Sequence, residues 1–311
     1  MSASKVFVGS VITLDDWFDG DERPNGSRPK MTLINPSTSE QFIFKQPREQ
    51  REAQLWSELL ASYVAGDLLG WPVQHASIGI RHGRIGNLLG YIYSNAERMI
   101  EGWQLCREAD PEYDEQYGQR HTLPLLQAVY KKIAGPNWNL PEKDYFEFWS
   151  RALIFDTLIS NSDRHAENWA LISSKDGTTM SALYDNGTSF GCQVEDIGLS
   201  KCFDGQGNLS TERVERFLRK GCHHVRTSEP SRYGGPFCEV AKAWLEIYPA
   251  ARPIFEQVAD VDLTPVKGLL SDCCANFVDL KEFALTERRA EHMYAILCLG
   301  RERIRNTVLG R

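Results

Sequence analysis

Three polar side chains in the middle of the chain limit most strongly what it can fold into. Asp163 lies in a polar break after an apolar segment, Asn168 follows five residues later, and Asp185 comes after a further short apolar run. Between the last two, residues 169–172 and 181–184 read as strands, and the turn signal at 174–177 joins them. Because a hairpin folds back on itself, we expect Asn168 and Asp185 to come within a few ångströms of each other.

Two carboxylates and an amide in this order suit the transfer of a phosphoryl group. Carboxylate and amide oxygens are ligands of Mg²⁺, which neutralises phosphate charge, and a further carboxylate orients the attacking hydroxyl. The sequence therefore predicts Asp163 as the catalytic base and Asn168 and Asp185 as magnesium ligands. Taken singly, an Asp-Arg-His segment or a Tyr-Asp-Asn-Gly segment is typical of a solvated turn, and it is their combination and spacing that favour the site.

The N-terminal part offers a cation for the nucleotide phosphates. Lys45 ends the strand-like run at 41–45, and we expect it to pair with the α- and β-phosphates. A glutamate on the next helix would hold this lysine in place. Glu58 is the favoured residue because it lies well inside the helical pattern of residues 49–69, and Glu52 is the alternative. Standing alone, Lys45 is equally compatible with an exposed lysine at a strand end.

A short loop precedes Lys45 at the place where a kinase covers the phosphates. It follows Pro36, contains no glycine, and presents the hydroxyls of Ser37, Thr38 and Ser39. These hydroxyls and their backbone N–H groups are candidate phosphate contacts, although the mechanism of a glycine-rich loop does not apply. The alternative is an ordinary β-turn.

Composition narrows the possible partners and the compartment. The 311 residues carry a net charge of -7, which gives no whole-molecule attraction to nucleic acid or to an anionic membrane. We therefore expect neither as a direct partner. The eight cysteines include no C-x-x-C pair, and neither a secretory signal nor an apolar stretch of spanning length is evident, which favours a cytoplasmic location.

The pattern of elements changes along the chain. Short strands and one prominent helix predominate in the first hundred residues, and helical patterns predominate afterwards. The sequence therefore predicts an α/β (α+β) fold with a strand-rich N-terminal lobe at about 1–105 and a larger helical lobe at about 106–311.

Residues 159–169 and 183–189 together resemble the HipA-like serine/threonine kinases, the toxin components of bacterial toxin–antitoxin modules. The resemblance extends from about residue 31 to the C-terminus, and its specific part is the block at 163–189. It implies a two-lobed protein-kinase-like fold that uses ATP and Mg²⁺, with the roles already given for the site residues. The chain looks closer to the shorter HipT-type members, in which an N-terminal subdomain is a separate small protein, than to HipA itself.

The resemblance also implies partners and regulation. The substrate would be a cytoplasmic protein such as an aminoacyl-tRNA synthetase, and a cognate antitoxin protein would be a second partner. Ser37 and Ser39 stand where short relatives autophosphorylate. Export of the protein as an effector remains an alternative to a cytoplasmic role.

Two other functions stay open. The same core serves lipid and small-molecule kinases, although the acidic balance argues against an anionic lipid. A pseudokinase scaffold is the alternative outside enzymes: the glycine-free loop favours it, and the presence of Asp163, Asn168, Asp185 and Lys45 argues against it.

Overall fold

The computed structural model of the chain describes residues 11–21, 28–135, 138–194 and 196–311, without the side chains of residues 196 and 197. The chain divides into two compact units. The first consists of Met1–Tyr91, Asp185–Val214 and Asp262–Ala295, and the second of Ile92–Tyr184, Glu215–Val261 and Ile296–Arg311. The lobe boundary near residue 105 stays a prediction.

The strands and helices follow one another as short strands first and mainly helices later. The strands are β1 (Ile12–Thr13), β2 (Phe18–Asp19), β3 (Lys30–Ile34), β4 (Gln41–Lys45), β5 (Ala76–Arg81), β6 (Arg84–Gly90), β7 (Arg98–Glu101), β8 (Ala170–Ser174), β9 (Gly177–Met180), β10 (Cys222–His223) and β11 (Gly235–Pro236). The α-helices are α1 (Ala53–Tyr63), α2 (Gly102–Ala109), α3 (Leu123–Ile133), α4 (Glu142–Ile159), α5 (Asp196–Leu199), α6 (Thr211–Lys220), α7 (Phe237–Ile247), α8 (Arg252–Asp260), α9 (Thr264–Asn276) and α10 (Glu287–Arg303). Short 3₁₀ and π segments adjoin several of them.

A six-stranded sheet is the framework of the first unit. Its strand order is β1-β5-β6-β4-β3-β2, with β1 parallel to β5 and every other pair antiparallel. Apolar side chains of four strands or their flanks form a buried cluster on this sheet: Leu14, Leu33, Phe44 and Leu88. The register places Lys45, at the end of β4, opposite Asn87 of β6, so the sheet fixes where this lysine emerges.

Helix α1 packs on this sheet and is buried from Gln54 to Ser62. The side-chain amide of Asn87 donates a hydrogen bond to the carbonyl of Leu55 at 2.9 Å, which ties the helix to β6. A π-helical turn at Val64–Leu68 extends the helix, and the chain then leaves it at Gly70, where φ is 68°. The prediction that the helix ends before Gly70 is therefore confirmed. Glycine suits this position because it adopts the left-handed conformation without steric cost.

Helix α4 is the core of the second unit. Its residues from Tyr145 onward are almost all buried, and aromatic rings surround it, with Phe146 stacked on Trp244 at a centroid distance of 5.5 Å. The helix ends at Ser160, whose φ of 55° turns the chain into the loop that carries Asp163. No helix among the described residues combines the length and the apolar character that crossing a bilayer requires.

The hairpin after Asn168 forms, but its second strand differs from the prediction. Strands β8 and β9 pair antiparallel with Ser174 opposite Gly177, so only residues 175 and 176 lie in the turn. The second strand was predicted at 181–184, and this was wrong: it ends at Met180. The reason is the tight turn: pairing with β8 starts already at Gly177, so the residues of β8 are almost all paired before residue 181 is reached.

Candidate active site

Three of the residues predicted from sequence meet in the first unit. The Lys45 Nζ atom lies 2.8 Å from Asp185 Oδ1 and 3.4 Å from Glu58 Oε1. The side chains of Lys45 and Glu58 are only 5% and 3% exposed, and that of Asp185 is 24% exposed. Two carboxylates and an ammonium group in this setting form an ion cluster that is largely shielded from water.

Glu58 connects helix α1 to the segment that carries Asp185. Its Oε1 atom faces Lys45, and its Oε2 atom accepts the backbone N–H of Asn186 at 3.0 Å. The neighbouring Ser57 donates its hydroxyl to the carbonyl of Ser189 at 3.0 Å. Glu52, the alternative from sequence, immediately precedes α1 as its N-cap residue, and the glutamate that contacts Lys45 is Glu58.

Arg28 is a member of this cluster that sequence reasoning missed. Its NH2 atom contacts Asp185 Oδ1 and lies 3.7 Å from Glu58 Oε1. Arg28 precedes β3 in a stretch that the sequence marks only as a polar loop, and its partner Asp185 is 157 residues away. Gly187 leaves room for the guanidinium, because an added Cβ there would lie 2.9 Å from Arg28 NH1 and 3.1 Å from Glu58 Oε1.

The two cations keep Asp185 ionised. Burial by itself raises the pKa of the Asp185 carboxyl, but the positive charges of Lys45 and Arg28 outweigh it and hold the pKa well below its usual range. Asp185 also has a φ of 51°, in the left-handed region, which costs of order 1–3 kcal/mol for a residue with a side chain. The surrounding contacts therefore hold this carboxylate in a conformation that the backbone alone disfavours.

Asp163 and Asn168 meet in the second unit, on the loop after α4. The backbone N–H of Asp163 donates to Asn161 Oδ1 at 3.1 Å, and the Asp163 side chain is 40% exposed. Asn168 Nδ2 donates to the carbonyl of Asp163 at 2.6 Å and lies 3.2 Å from His165 Nε2. The amide nitrogen therefore faces the loop, and Asn168 Oδ1 is the side-chain atom that can bind a cation.

Arg164 anchors this loop from inside. It is completely buried, and its guanidinium binds both oxygens of the equally buried Asp156. Its NH1 atom donates to the carbonyl of Asn168 at 3.0 Å and to the carbonyl of Tyr184 at 2.8 Å. Arg164 therefore fixes the backbone at Asn168 and at the residue before Asp185.

Asp156 is the acceptor on which this anchor depends. Burial raises the pKa of its carboxyl, but the charge of Arg164 and the hydrogen bond to His223 outweigh it and lower the pKa. The backbone N–H of Val225 donates to His223 Nδ1 at 2.9 Å, so the ring proton is on Nε2, which donates to Asp156 at 3.0 Å. Sequence reasoning assigned no role to Asp156, Arg164 or His223.

The loop between β3 and β4 forms a turn on the surface. Asn35 Oδ1 accepts the backbone N–H of Ser37 at 2.9 Å, and the Thr38 hydroxyl donates to Glu40 at 3.1 Å. Ser39 has a φ of 60°, and all three hydroxyl residues are exposed. This geometry fits the ordinary turn and leaves the hydroxyls accessible.

The atoms available at the predicted magnesium ligands fit that metal. Asp185 offers an ionised carboxylate and Asn168 an amide oxygen, and Mg²⁺ prefers such oxygen ligands completed by phosphate and water. In the described ranges, no group of three or more His, Cys, Asp and Glu side chains is arranged to hold a metal. Asn168 belongs to the second unit and Asp185 to the first, and their predicted approach stays a prediction.

Comparisons with known proteins give a fold but no sequence match. No family model and no curated protein sequence matches the chain. The crystal structure of CtkA, a Helicobacter pylori proinflammatory kinase, is similar with a TM-score of 0.70 and 14% identity over 96% of each chain. The HipA toxin of Shewanella oneidensis, solved with HipB and operator DNA, has a TM-score of 0.49 and 11% identity over 94% of this chain and 67% of that one.

The likeness to CtkA shows the fold. A strand-rich unit and a helical unit, aligned over nearly the whole length with a kinase structure, confirm the predicted α/β, protein-kinase-like fold.

Proposed function

We propose that this chain is an ATP- and Mg²⁺-dependent serine/threonine protein kinase of the HipA-like type. The observation that supports this most is the contact of Lys45 with both Glu58 and Asp185, at 3.4 and 2.8 Å. A lysine held between a helix glutamate and a metal-binding aspartate is the arrangement that orients nucleotide phosphates in protein kinases. Because the chain has a kinase-like fold, we assign the same role to this cluster.

In this proposal, Lys45 pairs with the α- and β-phosphates and Glu58 keeps it in position. Mg²⁺ bound by Asn168 and Asp185 supplies charge neutralisation at the phosphates. Ser37, Thr38 and Ser39 contact the phosphates from the turn between β3 and β4. Ser37 and Ser39 are also the proposed acceptors for autophosphorylation, and their exposure is compatible with this role.

Asp163 is the proposed base. The oxygen of a serine or threonine hydroxyl bonds to the γ-phosphorus, the bond from that phosphorus to ADP breaks, and Asp163 takes the hydroxyl proton. The side chain of Asp163 is partly exposed, so a protein substrate can reach it, while Asn161 and Asn168 hold its backbone at both polar atoms. Rate enhancement comes mainly from positioning and electrostatics.

The wider role follows the sequence resemblance. We place the protein in the cytoplasm as the toxin of a toxin–antitoxin module, with a cytoplasmic protein such as an aminoacyl-tRNA synthetase as substrate and a cognate antitoxin as partner. The motif blocks at 159–169 and 183–189 support this placement.

The test is phosphotransfer from radiolabelled ATP into whole lysate. Wild-type protein should label a protein band, and Asp163→Asn should abolish labelling while ATP binding, read by thermal shift, persists. Asp176→Asn is the matched control, because Asp176 is an exposed carboxylate in the β8–β9 turn. Full activity in Asp163→Asn would refute the assignment of the base, and label only in lipid or small-molecule fractions would overturn the protein substrate.

A pseudokinase scaffold is the second candidate, because the exposed turn at 36–39 has no glycine. Intact-mass measurement after incubation with Mg·ATP separates the two. Nucleotide binding without added phosphate, in preparations first treated with phosphatase, would favour the scaffold, and added phosphate would exclude it.

A further inference from the structure

Arg28 approaches the same two carboxylates as Lys45. Both cations contact Asp185 Oδ1, and both lie within 4 Å of Glu58 Oε1. We propose that Arg28 is a second phosphate-binding residue of the nucleotide site, and that it competes with a divalent metal for Asp185. This inference rests on the proposed function, because it needs a nucleotide at the cluster.

The fold accommodates Arg28 specifically. Its side chain is 7% exposed, and its guanidinium lies against Gly187, where an added Cβ would come within 2.9 and 3.1 Å of its two terminal nitrogens. A guanidinium is permanently charged and its planar fork matches phosphate oxygens in pairs. A buried permanent cation beside the proposed phosphate-binding lysine is therefore suited to the same anion.

Charge balance gives the proposal its direction. The cluster contains two cations and two carboxylates: Arg28 and Lys45 with Glu58 and Asp185. A divalent ion that binds alone is repelled by the positive charges of Arg28 and Lys45. It also needs the Asp185 carboxylate, whose negative charge these two cations already neutralise. A nucleotide arriving alone brings phosphate oxygens to which Arg28 can donate. Removing Arg28 should therefore strengthen binding of the metal alone and weaken binding of the nucleotide alone.

The experiment measures these two affinities separately in Arg28→Gln. Binding of Mn²⁺ alone, followed by electron paramagnetic resonance, should tighten by about threefold to tenfold as a like charge is removed. Binding of ADP in the absence of divalent metal, followed by calorimetry, should weaken by about tenfold through loss of a charged hydrogen bond. Arg84→Gln, at the exposed start of β6, is the control and should change neither affinity.

A merely structural role for Arg28 predicts a different pattern. If Mn²⁺ binding weakens in Arg28→Gln, Arg28 orients Asp185 for the metal and competition is refuted. If ADP binding is unchanged, the phosphate contact is refuted. If the wild-type protein binds neither Mn²⁺ nor ADP, the proposed function is overturned as well. If the wild type binds both and Arg28→Gln binds them with the same affinities, only this inference is overturned.

A second variant covers the case in which Arg28→Gln does not fold, as judged by circular dichroism. Arg28→Lys keeps the charge and loses the fork, so Mn²⁺ affinity should stay at the wild-type value while ADP affinity falls several-fold. An unchanged ADP affinity in Arg28→Lys, or an altered Mn²⁺ affinity, would count against the proposal.

Discussion

The guanidinium of Arg164 binds both carboxylate oxygens of Asp156, at 3.0 and 2.9 Å, and neither side chain is exposed. This pair supports the loop that carries the proposed base and metal ligand, because the same arginine donates to the carbonyl of Asn168. The support is indirect: neither residue is a candidate for contact with the substrate. Asp156 lies on α4, so the position of the loop is set by the core of the second unit.

Removing the charge of Asp156 should therefore cost stability first and activity second. Asp156→Asn leaves the guanidinium buried without its counter-charge, and breaking such a pair costs about 3–5 kcal/mol. Urea unfolding measures this loss. Glu147→Gln is the control: Glu147 pairs with Arg151 at 3.0 Å on the same helix, but both side chains are partly exposed, so about 1 kcal/mol or less is expected. Equal losses in the two variants would contradict the anchoring role.

Gly187→Ala should impair nucleotide binding while the protein still folds. The new methyl group would press on Arg28 and Glu58, at 2.9 and 3.1 Å, and these are the ends of flexible side chains that can shift. The shift separates the partners of Lys45, so Mg·ATP affinity should fall by roughly tenfold with a stability change of about 1–2 kcal/mol.

Thermal shift with and without Mg·ATP checks this expectation. Gly205→Ala is a matched control, because a Cβ there meets nothing within 4 Å. An alanine at Gly187 that leaves Mg·ATP affinity at the wild-type value would show that the packing of the ion cluster does not govern nucleotide binding.

Lys45 and Glu58 should behave as one unit in nucleotide binding. Lys45→Met removes the proposed phosphate contact, and Glu58→Gln removes the carboxylate that positions it. Once either is gone, the other has less to contribute, so the double variant should lose less ATP binding energy than the sum of the single losses, by about 0.5–3 kcal/mol. Calorimetry on the four proteins gives this coupling, and strict additivity would argue that Glu58 does not position Lys45.

The parts of the site that sequence predicted are those that local patterns mark. Lys45 ends a short strand-like run, Glu58 lies within a helical pattern, and Asp185 follows a hairpin, so each is visible from neighbouring residues. The structure brings these three together. Arg28 was not visible in this way because its contact with Asp185 closes a loop of 157 residues and depends on the sheet.

For the fold as well, the features that depend on neighbouring residues could be predicted from sequence, and those that depend on distant residues could not. The change from strand-rich to helical patterns was sufficient for the class of the fold, which the likeness to a kinase structure confirms. The order of the six-stranded sheet was beyond reach, because β6 lies between β4 and β5 and β1 pairs in parallel with β5. Likewise, the role of Asp156 depends in part on His223, which lies 67 residues further along the chain and which no pattern around α4 reveals.

The free energy of unfolding should fall as the pH drops below about 6.5, and buried histidines are the cause. His121 is fully buried, and its Nδ1 lies 3.2 Å from His224 Nδ1. Burial, and then the charge of His224, lower the pKa of His121 well below its usual value, and burial with the charge of Arg226 lowers the pKa of His224 to about 3. In the unfolded chain both rings titrate near 6.5. Between about pH 6.5 and 3, these two histidines are therefore protonated in the unfolded state but not in the native state.

Each such histidine contributes a slope of at most about 1.4 kcal/mol per pH unit. The carboxyls with lowered pKa, Asp185 and Asp156, act in the same direction but only at more acidic pH, so urea unfolding between pH 7.5 and 5 isolates the histidines. His224→Gln should reduce the slope by up to one histidine's share, whereas His82→Gln, at an exposed ring, should leave it unchanged. A slope in His224→Gln equal to that of the wild type would mean that the His121–His224 pair accepts a proton in the native state.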